Sequence, residues 1–152
     1  MQPFILLRDI DGTGISGTGK IAEGCVMTSG RCIIAWLTGT ASASIHGSLE
    51  DAQRIHGHEG NTRFVFDHDE PMPLLFNLYH PGKIISRDGR NSMAELVRFS
   101  NSFTVIQWLV APCGIEVFTT IEHCAKVHFR KIHSLAMPVK VAQGRLENTQ
   151  GE

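Results

Sequence analysis

The chain has 152 residues, 42% of them hydrophobic and 19% charged, and a net charge of −1 with histidines neutral. Such a composition excludes a wholly disordered chain, and the near-neutral balance excludes the dense basic face of an ordinary nucleic-acid binder. No apolar run approaches a membrane span, Met1-Gln2-Pro3 lacks the basic start of a secretion signal, and the four cysteines lack zinc spacing. The expectation is a reduced, cytoplasmic protein with no metal, no cofactor and no membrane contact.

In chain order, Phe4 to Leu7 is a short apolar strand, and Asp9 to Gly19 is a loop rich in Gly, Thr and Ser. Ile21 to Met27 and Arg31 to Leu37 read as strands around the turn signal Ser29-Gly30. The second of these is apolar on both faces, which suits a strand covered twice. A fourth strand ends near His46. Ser48 then caps a helix with Glu50 and Asp51 in its first turn and Gly57 or Gly60 at its end. Arg63 to Phe66 closes the first unit. After the acidic stretch Asp67 to Pro73, strands are predicted near Leu74–Tyr79, Met93–Phe99, Phe103–Val110 and Ile115–Phe118. A helix from Thr120 to about Arg130 and a strand near Leu135–Val141 follow. Residues 142–152 are polar and read as a disordered tail.

The second run of elements copies the first. At a shift of 72 positions, from Phe4 to Gly57 without a gap, ten residues recur, among them Glu23/Glu95, Ile34/Ile106, Trp36/Trp108, Leu37/Leu109 and His56/His128. We read this as a tandem duplication. The expected fold is α+β: two ββββαβ units, residues 1–66 and 74–141, joined by the linker 67–73. Each has an antiparallel meander and one helix, and the two are related by a pseudo-two-fold axis. Units so small usually need a neighbour to complete a core, so a shared core is expected.

The segments Gly14-Ile15-Ser16-Gly17-Thr18-Gly19, Ala22-Glu23-Gly24, Trp36-Leu37, Ser48-Leu49-Glu50-Asp51 and Ile55-His56-Gly57-His58-Glu59-Gly60 carry a resemblance. Over residues 4–66 the chain resembles a family of small bacterial and phage proteins with the pattern GVSGTG, AEG, WL, SIEDV, IHGHGG. The resemblance implies a phage or mobile-element setting, in which small proteins commonly regulate or inhibit host systems. It implies no catalytic residue.

Candidate chemistry is sparse. Gly12, Gly14 and Gly17 have the spacing of a phosphate loop, but the chain continues into a strand rather than a helix, so a wide hairpin loop is the simpler reading. Its exposed N–H groups could still hold an anion around Ser16, Gly17 and Lys20, with Arg87, Asp88 and Arg90 at the matching place in the second unit. His56 and His128 border the apolar helix faces, while Glu23 and Glu95 share strand parity with Ile21, Cys25, Met93 and Val97. A carboxylate in that phase needs a partner, and a Glu–His pair within each unit would supply one. Ile34, Trp36, Ile106 and Trp108 are assigned to the core.

The functional expectation is a non-enzymatic tandem-repeat binding protein, a phage-type regulator or inhibitor whose partner is a host protein. The repeat also permits a homo-oligomer. The alternatives are nucleotide or nucleic-acid binding through the glycine loop and the Arg87/Arg90 loop, and a small hydrolase using the Glu–His pairs.

Overall fold

The computed structural model describes residues 1–12, 14, 17–67, 73–79, 92–110, 113–128 and 136–138. The first half runs β1 (Gln2–Arg8), β2 (Gly19–Val26), β3 (Cys32–Trp36), β4 (Ser42–His46), α1 (Leu49–His56), a single 3₁₀ turn (His58–Gly60) and β5 (Thr62–Val65). The second half runs β6 (Leu74–Tyr79), β7 (Ser92–Arg98), β8 (Thr104–Trp108), β9 (Ile115–Phe118), α2 (Ile121–His128) and β10 (Ala136–Pro138). The fold is therefore α+β, with two antiparallel sheets and a helix for each.

The sheet orders are β4-β3-β2-β1-β5 and β9-β8-β7-β6-β10. The registers match at the same shift of 72: Ala22 faces Trp36 as Ala94 faces Trp108, and Ile5 faces Glu23 as Asn77 faces Glu95. Both sheets carry a register shift at the same place, after Leu6 and after Leu78. Such a bulge puts one extra residue on one strand and turns side chains out of strict alternation. Ile21 is that residue. The sequence pattern puts it on the face of Glu23, but it packs on the opposite face with Phe4, Ala22 and Ala52.

The two sheets meet face to face. Cys25, Met27, Ile33 and Ala35 of the first pack with Leu75, Val97, Phe99 and Val105 of the second in one core. Alternation sends the remaining strand residues to the outer faces, where the helices lie. Phe4, Leu6, Cys32 and Ile34 pack against Ala52 of α1, and Leu78, Leu96 and Ile106 against Cys124 of α2. The order is thus helix, sheet, sheet, helix. Ile34 and Ile106 are fully buried in the outer cores. Burial holds the Cys25 and Cys32 thiols up at about 12 and that of Cys124 at about 11, far from the thiolate form.

Gly24 is dictated by its cross-strand partner. A Cβ there would lie 2.1 Å from the tip of the Phe4 ring, which fills the space instead. Helix α1 begins as its sequence requires, with Ser48 Oγ accepting from Asp51 N at 3.1 Å. Its end is less ordinary. His58, Glu59 and Gly60 have φ values of 46°, 55° and 95°, so two non-glycine residues sit in the left-handed region. That conformation costs a side-chain-bearing residue about 1–2 kcal/mol. Glu59→Gly is therefore expected to raise stability by roughly 1 kcal/mol, read as a higher urea midpoint with an unchanged slope.

Candidate functional site

Glu23 and Glu95 lie on the inner sheet faces, only 1% and 3% exposed. Each reaches the hairpin turn of the other half. Glu23 Oε2 accepts from Ser100 N at 2.8 Å, and its Oε1 meets Lys20 Nζ at 3.0 Å. Glu95 Oε2 accepts from Thr28 N at 3.1 Å, and its Oε1 accepts from Thr28 Oγ1. Thr28 and Ser100 are themselves 72 apart, so the contact is reciprocal. Ser29 Oγ donating to Gln107 Oε1 at 2.8 Å and Asn101 Nδ2 donating to the Trp36 carbonyl at 2.9 Å complete the polar seam.

This arrangement corrects the expected Glu–His pairing. His56 and His128 are on the outer helices, across the sheet from the glutamates, and alternation forbids the contact. His56 instead stacks edge-on against Trp36 (centroids 4.8 Å apart) and His46 (5.0 Å). His128 does the same with Trp108 (5.2 Å) and Phe118 (5.5 Å), and its Nε2 lies 3.0 Å from Glu116 Oε2. A hydrolase built on Glu–His pairs therefore loses its residues.

The glycine loop is also organised differently from a phosphate cradle. Asp11 turns its carboxylate into the loop, accepting from Gly14 N at 3.0 Å and Gly17 N at 2.7 Å. These two N–H groups face an acid rather than an open anion site, and Lys20 faces Glu23. Ser16, Arg87, Asp88 and Arg90 lie outside the described residues, as do His68 and Asp69 of the acidic stretch.

What the loop does frame is a cavity of about 460 Å³. Its walls bring together Arg8 from the end of β1, Asp11 from the glycine loop, Trp36 from the end of β3, His56 from α1, and His58 and Asn61 from the turn after it. Trp36 is only half-buried, because it packs against the outer core on one side and faces this space on the other. Arg8 is buried and anchored, its Nε donating to Thr62 Oγ1 at 3.1 Å. His56 Nε2 is buried with no hydrogen-bond partner. Burial, with His46, His58 and Arg8 nearby, lowers the His56 pKa to about 4 and keeps its imidazole neutral at ordinary pH. The cavity thus offers a flat indole, a fixed guanidinium and the carboxylate of Asp11, with the unpartnered His56 Nε2 buried beside it. Such a set recognises a ligand with a ring and an acidic group. Arg8 carries no repeat signal, since its counterpart at the 72-residue shift is His80, and sequence reasoning passed over it.

Among the described residues no helix is long and apolar enough to cross a membrane. No curated protein and no solved structure matches the chain. Residues 1–68, which span β1 to β5 and the described walls of this cavity, match the family model of the Acb5 phage protein, so the first half is similar to a small phage protein family.

Proposed function

We propose that this chain is a non-enzymatic, phage-type binding protein, a regulator or inhibitor that works by holding a small ring-bearing acid of the nucleotide class in the first-half cavity. The supporting observation is that Arg8, Trp36 and His56 converge on one space within the segment that matches the phage family. The guanidinium answers an acidic group, the indole face answers a ring, and a neutral histidine adds a hydrogen bond. Titration calorimetry with adenosine and guanosine monophosphates tests the reading. Binding should be saturable, and Arg8→Gln should weaken it about tenfold or more, as expected for losing a charge-assisted hydrogen bond. Failure of both nucleotides to bind would remove this reading.

Capture of a host protein is the second reading. It is favoured by four exposed aliphatics that recur at the repeat spacing: Ile45 and Ile55, 45% and 52% exposed, with Val117 and Val127, 42% and 44% exposed. A stoichiometric host protein retained by the wild type and released by Ile55→Asp would support it.

We also infer that the halves arose by duplication and are related by a pseudo-two-fold axis. Equal strand order, equal register, the repeated bulge and the reciprocal glutamate contacts support this.

A further inference from the structure

The two histidine corners differ at two positions, His46 against Phe118 and, more instructively, Ser44 against Glu116. In the second half Glu116, on β9, fills the corner from within. Its Oε1 accepts from Trp108 Nε1 at 2.7 Å and its Oε2 lies 3.0 Å from His128 Nε2. One carboxylate thus bridges the indole and the imidazole. At the 72-residue shift the first half has Ser44. Its hydroxyl accepts from Trp36 Nε1 at a longer 3.3 Å and contacts His46 Nε2 at 3.1 Å. It leaves His56 Nε2 without a partner. The ring geometry is otherwise alike, with indole and imidazole planes at 67° in the first half and 62° in the second. The indole and imidazole nitrogens are kept, but of the two Ser44 reaches only the indole, and no acceptor bridges it to His56.

We propose that the Trp36–His56 corner of the first half takes an anionic oxygen of a bound ligand, phosphate or carboxylate, in the place that Glu116 occupies in the second half. This deepens the cavity reading and rests on it for the ligand's ring, but the anion site can stand without it. A buried polar nitrogen left unpaired is costly, and Trp36 Nε1 is held only by the longer Ser44 contact. An acid that takes both nitrogens as donors, as Glu116 does in the second half, would satisfy the corner. The groups facing His56 are His46 on β4, His58 on the turn and Arg8 on β1, all of which disfavour its protonation. An anion would reverse that balance and fix the proton on Nε2. The second corner, already bridged, would not respond. The chain would bind one such ligand rather than two.

Nitrogen-resolved NMR of the histidine and tryptophan side chains tests this on the full chain, with inorganic phosphate and adenosine monophosphate as separate probes. Either probe should move the Trp36 Nε1 and His56 Nε2 signals and raise the His56 pKa, while Trp108 and His128 stay in place. Ser44→Glu, which copies the second half, should raise the His56 pKa unaided and abolish the response to both probes. Thermal melting of this variant checks that it folds. Phosphate alone acting at His56 supports the anion site even if the nucleotide fails to bind, which would sink only the cavity reading. A nucleotide that binds and leaves Trp36 Nε1 and His56 Nε2 unmoved overturns the anion site and spares the cavity. Equal responses from both corners, or a Ser44→Glu variant with an unchanged His56 pKa, also overturn it.

Discussion

Glu23→Leu is expected to cost roughly 3 kcal/mol of folding stability, a large share of what a chain of this size holds. The carboxylate is nearly fully buried between the sheets. Its removal leaves Ser100 N–H without an acceptor in the seam and withdraws the charge that faces Lys20. Filling the space with an isosteric apolar side chain does not answer either group. Glu95→Leu should cost about as much, because it abandons both the N–H and the hydroxyl of Thr28. Urea unfolding read by both tryptophan fluorescence and far-ultraviolet dichroism is the measurement. A single shared transition should persist in each variant, because the seam belongs to both halves. A loss under about 0.5 kcal/mol, the range of an ordinary surface change, would mean that the seam is held by the apolar core alone.

The second large effect is steric. Gly24→Leu should destabilise by about 3 kcal/mol, since the Phe4 ring already occupies the space its side chain would need. The second half shows the alternative solution: Leu96 stands at the matching position opposite Phe76, and Phe76 is partly exposed where Phe4 is fully buried. Phe4→Ala alone should also cost about 3–5 kcal/mol through the cavity it leaves. The double variant should be less damaged than the sum of the two by more than about 1 kcal/mol, as size-complementary neighbours are. Simple additivity would show that the two positions do not share one volume.

Much of this architecture was legible because the chain states it twice. Trp36 and Trp108 fix the alignment, and with the halves laid over each other the succession of strands and helix along each half follows, though not the pairing of the last strand with the first. The face of Ile21 is not legible, because a bulge breaks the two-residue period of the strand. The partner of Glu23 is not legible either, since strand and helix patterns speak only of near neighbours. The true partner is 77 residues away. A signal for it did exist: Thr28 and Ser100 recur alongside the two glutamates, and a turn hydroxyl repeated with a buried acid suggests contact between them. The cavity was harder to foresee. Arg8 and Asn61 come together through the pairing of β1 with β5, and no periodicity marks them.

The reciprocal seam also has a consequence for how the molecule comes into being. Each half completes the other's hairpin turn, so neither sheet can finish its own hydrogen bonding while it is alone. During synthesis the first half emerges with Glu23, Cys25, Met27 and Ile33 uncovered. It must wait until Phe99 and Ser100 arrive, 34 and 35 residues beyond the end of β5 at Val65. Such distant closures slow folding, and an uncovered apolar sheet invites association with other chains in the interval. A protein of this design depends on prompt translation of its second half, and a truncated transcript would yield a sticky fragment rather than a smaller working unit.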